Sequence, residues 1–524
     1  MRIFLSFLSG IALFYLFPCF PSLAVVTFLS ASLLLIFRKN ALLIPVLLIG
    51  VFYAHVRYIA PVETSGLSGR ELLAECVIED SPRLLKSGKI SNRVKVIRAV
   101  DPATGEGIDG LGEREVSIFS DQGLARNTRC ELLVKMGQDS ERLNPGTPGE
   151  KRLSAVLRAV GRTERIEGKG LYFWLRERRE ALNLYLRSAF EGDSGAFLSS
   201  ITTGERAELS EEMNSAFGTS GLAHLLSISG THFGLFSMLV FGIFRIALYA
   251  LPYRLLQRFT IWLTPSQAAA LLSLPFMLLY LLISDLSFPA VRSFIMIALF
   301  LFGLLLGRKG FWLNTVLFAA FLICLWDPSA LLNLSFQLSF LAVFFIGSTA
   351  GEKNGTPRAQ DQGVRERIGG TLKGSLILSL SASLGTAPLV AHSFHYFSVI
   401  SPLSNLLVTP FIGFVLVFLS LVSSFVFIFS GHFPFQPLIA SASDLSLKAV
   451  KFFASIPFAD VKIPAFPVIV LVFFYAGCLL YLSGRKRAAA VPAGAALVVV
   501  FLAFSFGAKG LSVTYLDVGQ GDSA

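Results

Sequence analysis

Runs of about twenty apolar residues, the length that a bilayer-spanning helix needs, recur from one end of this chain to the other. Ile3 to Phe20, Ala41 to Ala60, Ala269 to Ser284 and Phe466 to Leu482 approach or reach that length. Lipid offers no partner for an open backbone N–H or C=O, so such runs fold as helices. Composition agrees: 54% of the 524 residues are hydrophobic and 15% are charged, against roughly a quarter charged in ordinary soluble domains. The expected fold class is a polytopic α-helical membrane protein of about eleven transmembrane helices. Arg2 gives the first run the look of a signal peptide, but two further apolar runs follow at once and no small-residue cleavage pattern stands before them. It reads as a retained helix.

The net charge of +11 invites a nucleic-acid reading. Much of it sits between apolar runs, as Arg38-Lys39, Arg308-Lys309 and Arg485-Lys486-Arg487 do, where the positive-inside rule alone places it. With Arg38-Lys39 in the cytoplasm the N-terminus is inside, and the third helix, ending near Tyr58, delivers the next polar region outside. Later loops give the same orientation, with Arg254 and Arg258 inside, Asp285 and Asp327 outside, and the basic-rich loop from Glu352 to Lys373 inside. The segment ending near His392 then emerges outside and the one beginning near Pro464 starts there, so whatever lies between crosses an even number of times. Val399 to Phe429 is expected to break at Pro402 and at Pro410 to Gly413, as a helical pair or a re-entrant segment.

The polar region is expected to be a small external β-barrel, OB-like in size, inserted after the third helix. Its strands are read at Ala74–Ile78, Arg93–Val100, Glu115–Ser120 and Thr128–Lys135. Cys76 and Cys130 fall in two of these strands, and an external location permits a disulfide between them; two buried free thiols are the other reading. From Leu171 to Phe190, aromatic and basic residues at helical spacing suggest a helix lying in the membrane interface. The expected organisation is three transmembrane helices over 1–61, the β domain over 62–170, the amphipathic helix and linker over 171–220, a multi-helix membrane domain over 221–508, and a further piece over 509–524.

Thr203 to Leu235 reads TGERAELSEEMNSAFGTSGLAHLLSISGTHFGL, a short polar helix leading through Gly221 into an apolar one. It resembles the signature of the ComEC competence family, whose members carry HLLAISGLHIGL at this place, with Thr231 here for Leu and Phe233 for a smaller aliphatic residue. In the family's order follow Pro289 to Met296, similar to its P..RA..M helix with Ser293 for Ala, and Asp327-Pro328 with Phe336-Gln337-Leu338-Ser339-Phe340, similar to its DP…FQLSF segment. Upstream, Asn144-Pro145-Gly146 and Arg152 to Ile166 look like the link closing the family's external OB-like domain. Leu511 to Ala524, LSVTYLDVGQGDSA, is similar to the opening of the metallo-β-lactamase-like domain that many members carry. Its His-rich zinc loop is not in this sequence, so the chain reads as a fragment, a truncated product or half of a split protein, and neither a zinc cofactor nor hydrolase activity is expected of it.

The resemblance implies an inner-membrane channel that takes up single-stranded DNA in natural transformation. It implies an external DNA-delivery protein as partner and, because no Walker-type motif is present, a separate cytoplasmic ATPase or translocase. Membrane lipids surround it. Candidate residues on the DNA path are His224, Ser227, Ser229, Gly230, Thr231, His232, Arg292, Gln337 and Ser339. Ionisable groups within spans are costly and usually face an interior pathway, which singles out Arg292 and His232. Each has a plainer reading: snorkelling for Arg292, an interhelical hydrogen bond for His224 and His232, and structural hydrogen bonding for Gln337 and Ser339. His392 and His395 have no third ligand nearby, which argues against a zinc site. Between Arg70 and Lys169 there are eighteen basic and sixteen acidic residues and few aromatics, short of the basic, stacking surface of a single-strand binder. DNA binding by the β domain is therefore implied by the resemblance alone, and a scaffold or docking role stands beside it. Two other functions compete with the channel: a transporter of another anionic solute, using the same buried Arg and broken helices, and a membrane anchor for a hydrolase whose catalytic domain lies elsewhere.

Overall fold

Two glycines bring the N-terminal helices together. In the computed structural model of the chain, α1 (Arg2–Leu16) and α2 (Leu43–Arg57) pack along their lengths. A Cβ on Gly10 would lie 2.0 Å from the carbonyl oxygen of Leu47, and one on Gly50 2.3 Å from that of Phe7. Backbones approach this closely only where side chains are absent, which is how small residues join helices in lipid. The structure describes residues 2–16, 43–57, 69–78, 83–84, 90–108, 114–121, 128–137, 154–165, 170–205, 209–228, 230–252, 263–305, 312–351, 364–464 and 466–482, with a few isolated residues besides. The second expected N-terminal helix, the Asn144-Pro145-Gly146 link and residues 509–524 lie outside the described residues. The chain divides into two compact units, one built on Met1–Tyr58 and Leu171–Pro464, the other on Ile59–Gly170 and Ala465–Tyr481.

In the second unit, four strands fall where the apolar alternation places them: β1 (Glu71–Ile78), β3 (Ile90–Val100), β4 (Glu115–Ser120) and β5 (Thr128–Met136). Every second residue of β1 and β5 is buried, as a pleated strand with one core face requires. Two strands were not expected, the short β2 (Arg83–Leu84) and β6 (Ser154–Arg165). Where the sequence suggests a small OB-like barrel, the structure has one six-stranded mixed sheet of order β1-β5-β6-β4-β3-β2, in which β1 also pairs with β3. β3 serves β4 with Ile90–Lys95 and β1 with Val94–Val100. The parallel β4–β6 link is three residue pairs long. Buried Asn92 ties a loop to the sheet: its Nδ2 donates to the Ser120 hydroxyl (2.8 Å) and its Oδ1 accepts from the Leu124 N–H (3.0 Å). The apolar helix α15 (Val468–Leu482) belongs to the same unit.

The first unit continues with α3 (Leu171–Ala189), α4 (Asp193–Thr202) and α5 (Glu211–Thr219), then α6 (Gly230–Tyr249), α7 (Pro265–Ile283), α8 (Phe288–Leu305), α9 (Trp312–Trp326) and α10 (Leu334–Gly351). α11 (Val364–Phe394), β7 (Tyr396–Ser398), α12 (Ser401–Phe411), α13 (Phe418–Ser430), α14 (Gln436–Ala454) and β8 (Asp460–Lys462) complete it. Five of the described helical stretches are long and apolar enough to cross a membrane: His232–Tyr249, Pro265–Ile283, Phe288–Leu305, Gly374–Phe394 and Ser401–Ser430. Shorter apolar helices, α1, α2, α9, α10 and α15 among them, accompany these. The chain is a membrane protein.

Two expectations change here. Ser401 to Ser430 does not break: Pro402 sits in the first turn of α12, where it is tolerated, and Pro410 is followed at once by a π-helical turn, Ile412–Val417, leading straight into α13. A proline lacks an N–H and crowds the carbonyl four residues back, and a locally widened helix is one way to absorb that. Second, α3 is more than a surface helix, because Leu175, Arg179, Leu182, Asn183 and Leu186 are all buried against α4, α7 and α13. β7 follows α11 directly and pairs antiparallel with β8, so residues 399–459 leave and return to one two-stranded clasp.

Candidate functional site

The helical register is interrupted between α5 and α6, and the interruption is braced from three sides. Ser220 caps α5, Gly221 takes φ +73°, Ala223–Leu226 forms a 3₁₀ turn, and α6 starts at Gly230. Each irregular residue leaves polar backbone groups to satisfy, and serines supply the partners. The Ser398 hydroxyl donates to the carbonyl of Thr219 (2.7 Å) and that of Ser404 to the carbonyl of Ser220 (2.6 Å). A Cβ on Gly221 would sit 2.4 Å from Ser401 Cβ and 2.9 Å from Ser398 Oγ, so the start of α12 lies directly on the junction.

The two histidines flank the same turn, His224 exposed and His232 buried. His224 is hydrogen-bonded to the backbone of Gly221. His232, wholly buried in the first turn of α6, is hydrogen-bonded to the backbone of Ser227. The Ser227 hydroxyl in turn donates to the His224 carbonyl (3.4 Å). Thr231 lies in the first turn of α6; Ser229 falls outside the described residues.

Gly230 carries the junction to α8, since a Cβ there would lie 3.6 Å from Ser293 Oγ. Arg292, the neighbour of Ser293, is 4% exposed. Its Nη1 reaches the Ser335 hydroxyl in the first turn of α10 at 3.4 Å, its Nε has no hydrogen-bond partner, and among the described residues no carboxylate is paired with it. Burying a guanidinium without a counter-charge costs several kcal/mol, and snorkelling leaves a charged head exposed. Gln337 is spoken for locally, its Nε2 donating to the Leu331 carbonyl (3.0 Å), and Ser339 is half-buried on the same helix. Thus the junction, Arg292 and the head of α10 are brought together in sequence-distant contact, while Gln337 serves the turn before α10.

The Competence protein family model matches residues 201–488, more than half of the chain and inclusive of the junction, α8 and α10. The chain belongs to the competence protein family. Among curated relatives, ComE operon protein 3 of Bacillus subtilis (strain 168) is 24% identical over 441 residues, 79% of this chain and 51% of that protein. Competence protein ComA of Neisseria gonorrhoeae is 28% identical over 337 residues, 63% of this chain and 44% of the relative. An uncharacterised protein of Aquifex aeolicus (strain VF5) is 29% identical over 205 residues, 39% of this chain and 40% of its own. The chain thus spans about half the length of the two competence proteins it matches. No solved structure matches it.

An ion pair between a residue upstream of the matched region and one inside it escaped the sequence reading. Arg179 of α3 meets Asp285 at the α7–α8 turn at 2.6 Å, with the Arg179 side chain 6% exposed. Asp285 and Leu286 both hold positive φ there, 57° and 51°. The Thr203 hydroxyl donates to Asn183 Oδ1 (2.6 Å) and the Tyr280 hydroxyl to the Ile201 carbonyl (3.2 Å), so α3, α4 and α7 form one braced block beside the junction. In the β domain, Cys76 and Cys130 are directly opposite each other on β1 and β5, and both are buried free thiols. Burial, with smaller contributions from Cys130 and Glu75, pushes the Cys76 thiol up to about 12, and burial pushes Cys130 up to about 11.

Proposed function

We propose that this chain forms an inner-membrane channel that passes single-stranded DNA into the cell during natural transformation. Family membership and the printed names of two relatives point to competence, and the carrying observation is Arg292. A cation buried in the apolar bundle, with no carboxylate paired to it among the described residues, suits a protein that handles a polyanion, as intramembrane charges generally mark a substrate route. The same reading puts the N-terminus in the cytoplasm and the sheet domain outside, in an OB-like role, with about eleven crossings. The β7–β8 clasp supports its parity, since a segment that returns to its own start crosses an even number of times. A DNA-delivery protein outside and an ATPase or translocase inside complete the pathway, and no hydrolytic step or cofactor is assigned to this chain.

The test is transformation frequency in a naturally competent host whose own channel gene is deleted, complemented by this chain with membrane insertion verified. Rescue above the empty vector supports the reading. An inserted chain that gives none overturns it for these 524 residues, and a chain that instead restores uptake of a small anionic solute identifies a transporter.

A further inference from the structure

We infer that Arg292 and the N-terminal turn of α10 together form a binding site for one phosphodiester group. Three observations meet there. The guanidinium is 4% exposed and its Nε has no partner, although a guanidinium presents a planar fork of donors suited to two oxygens of one anion. Its Nη1 points at Ser335, in the first turn of an 18-residue helix, where the helix dipole adds a partial positive charge of its own. A cation at that end of a helix is opposite to the usual arrangement, and an anion accepting from the unpartnered Nε offsets both. The candidate internal counter-ions are engaged elsewhere: Asp285 pairs with Arg179, and Asp327 accepts from the N–H and hydroxyl of Ser329 (2.9 and 2.6 Å). Asn333 and Ser335 are exposed, so the site opens to the surface at the head of α10 while its charge stays underneath.

The phosphodiester oxyanion is common to a DNA strand and to a lipid headgroup; the site is assigned to the strand. That assignment rests on the channel reading, whereas the existence of the anion site does not. Binding of a fluorescent oligothymidylate to the full chain in dodecyl maltoside micelles, which carry no phosphate, separates the possibilities, with a peptide nucleic acid of the same bases and a neutral backbone as the comparison probe. The wild type is expected to bind the oligonucleotide and to bind the neutral probe far more weakly. Arg292→Gln is expected to weaken oligonucleotide binding about tenfold and to lower the slope of log affinity against log salt by about 0.7, one single-strand phosphate contact. Lys448→Gln, on the exposed face of α14, is expected to leave both unchanged.

Because Arg292→Gln risks misfolding, Ser335→Glu is the second variant. It places a carboxylate beside the guanidinium at an exposed position, is expected to melt no lower than wild type, and is expected to lose the same affinity. Oligonucleotide binding with an unaltered salt slope in both variants overturns the site, as does equal binding of the neutral probe. Dependence on Arg292 that appears only when phosphatidylglycerol is added, without the oligonucleotide, overturns the strand in favour of lipid. Arg292-dependent oligonucleotide binding without rescue of transformation leaves the site standing and the channel reading refuted.

Discussion

Replacing Gly221 with alanine presses on the junction where it is tightest. The residue sits at φ +73°, where a Cβ costs about 1–2 kcal/mol. The new methyl would also lie 2.4 Å from Ser401 Cβ and 2.7 Å from Ser401 Oγ. The hydroxyl is able to swing aside, but Ser401 Cβ is fixed to the first residue of α12, so helix and junction must part by about an ångström. Overpacking of this kind costs about 1–3 kcal/mol, giving about 2–5 kcal/mol in all. The same movement stretches the Ser404–Ser220 and Ser398–Thr219 bonds, 2.6 and 2.7 Å in the native chain. The assay is unfolding of purified chain by SDS titration from mild micelles, in a cycle with Ser401→Gly, which deletes the clashing Cβ but not the strained φ. The double variant is expected to recover the packing share and leave the backbone share, a coupling of about 1–3 kcal/mol. Gly221→Ala unfolding with wild type, or no coupling to Ser401→Gly, refutes the argument that the junction is packed against α12.

Arg179→Met is expected to destabilise the chain by about 1.5–3 kcal/mol by removing a charge-assisted hydrogen bond to Asp285, and adding Asp285→Asn is expected to change little further; equal thermal melting of Arg179→Met and wild type shows the pair to be solvated. Gly10→Val is expected to separate α1 from α2, because the new side chain meets a backbone oxygen 2.0 Å away; disulfide crosslinking between cysteines engineered into facing positions of the two helices reads this out, and unchanged crosslinking counts against the close crossing. The raised Cys76 and Cys130 pKa values, about 12 and about 11, keep both protonated far above neutral pH, so iodoacetamide is expected to leave them unlabelled in the folded chain at pH 8. Denaturation without reductant then exposes both to labelling if they are free, whereas labelling that needs reductant shows them bridged.

Much of this architecture is legible in the sequence because it follows from solvent. The spans and the strands β1, β3, β4 and β5 announce themselves by where apolar residues recur, since water and lipid each impose a period on the chain. β6 does not, because Arg158 to Glu164 are all exposed and little alternation is written into it. Arg292 was legible as a costly charge in an apolar run. Arg179 was not: its surroundings look like those of its exposed neighbours Glu177 and Glu180, and what buries it is Asp285, 106 residues further along the chain. His224 and His232 are legible as polar residues in an apolar context, and only coordinates show their bonds to the backbone of the turn they flank. Gly221 was read as a link between helices, and its reason for being glycine lies in Ser401, remote in sequence.

The widened turn after Pro410 has a geometric effect on everything downstream. Ser404, Val408, Ile412, Leu416, Ser420, Ser424 and Ile428 are each 4% exposed or less, a buried row with a repeat of four. In an ideal helix, at about 100° per residue, such a row gains about 40° per step and spirals out of the interface into the surroundings. Fitting one wider loop of backbone into the middle of the rod subtracts from that drift. The rod therefore keeps a single inward edge along a path of about 36 Å, and hydroxyls that would otherwise rotate into hydrocarbon are kept turned toward the protein.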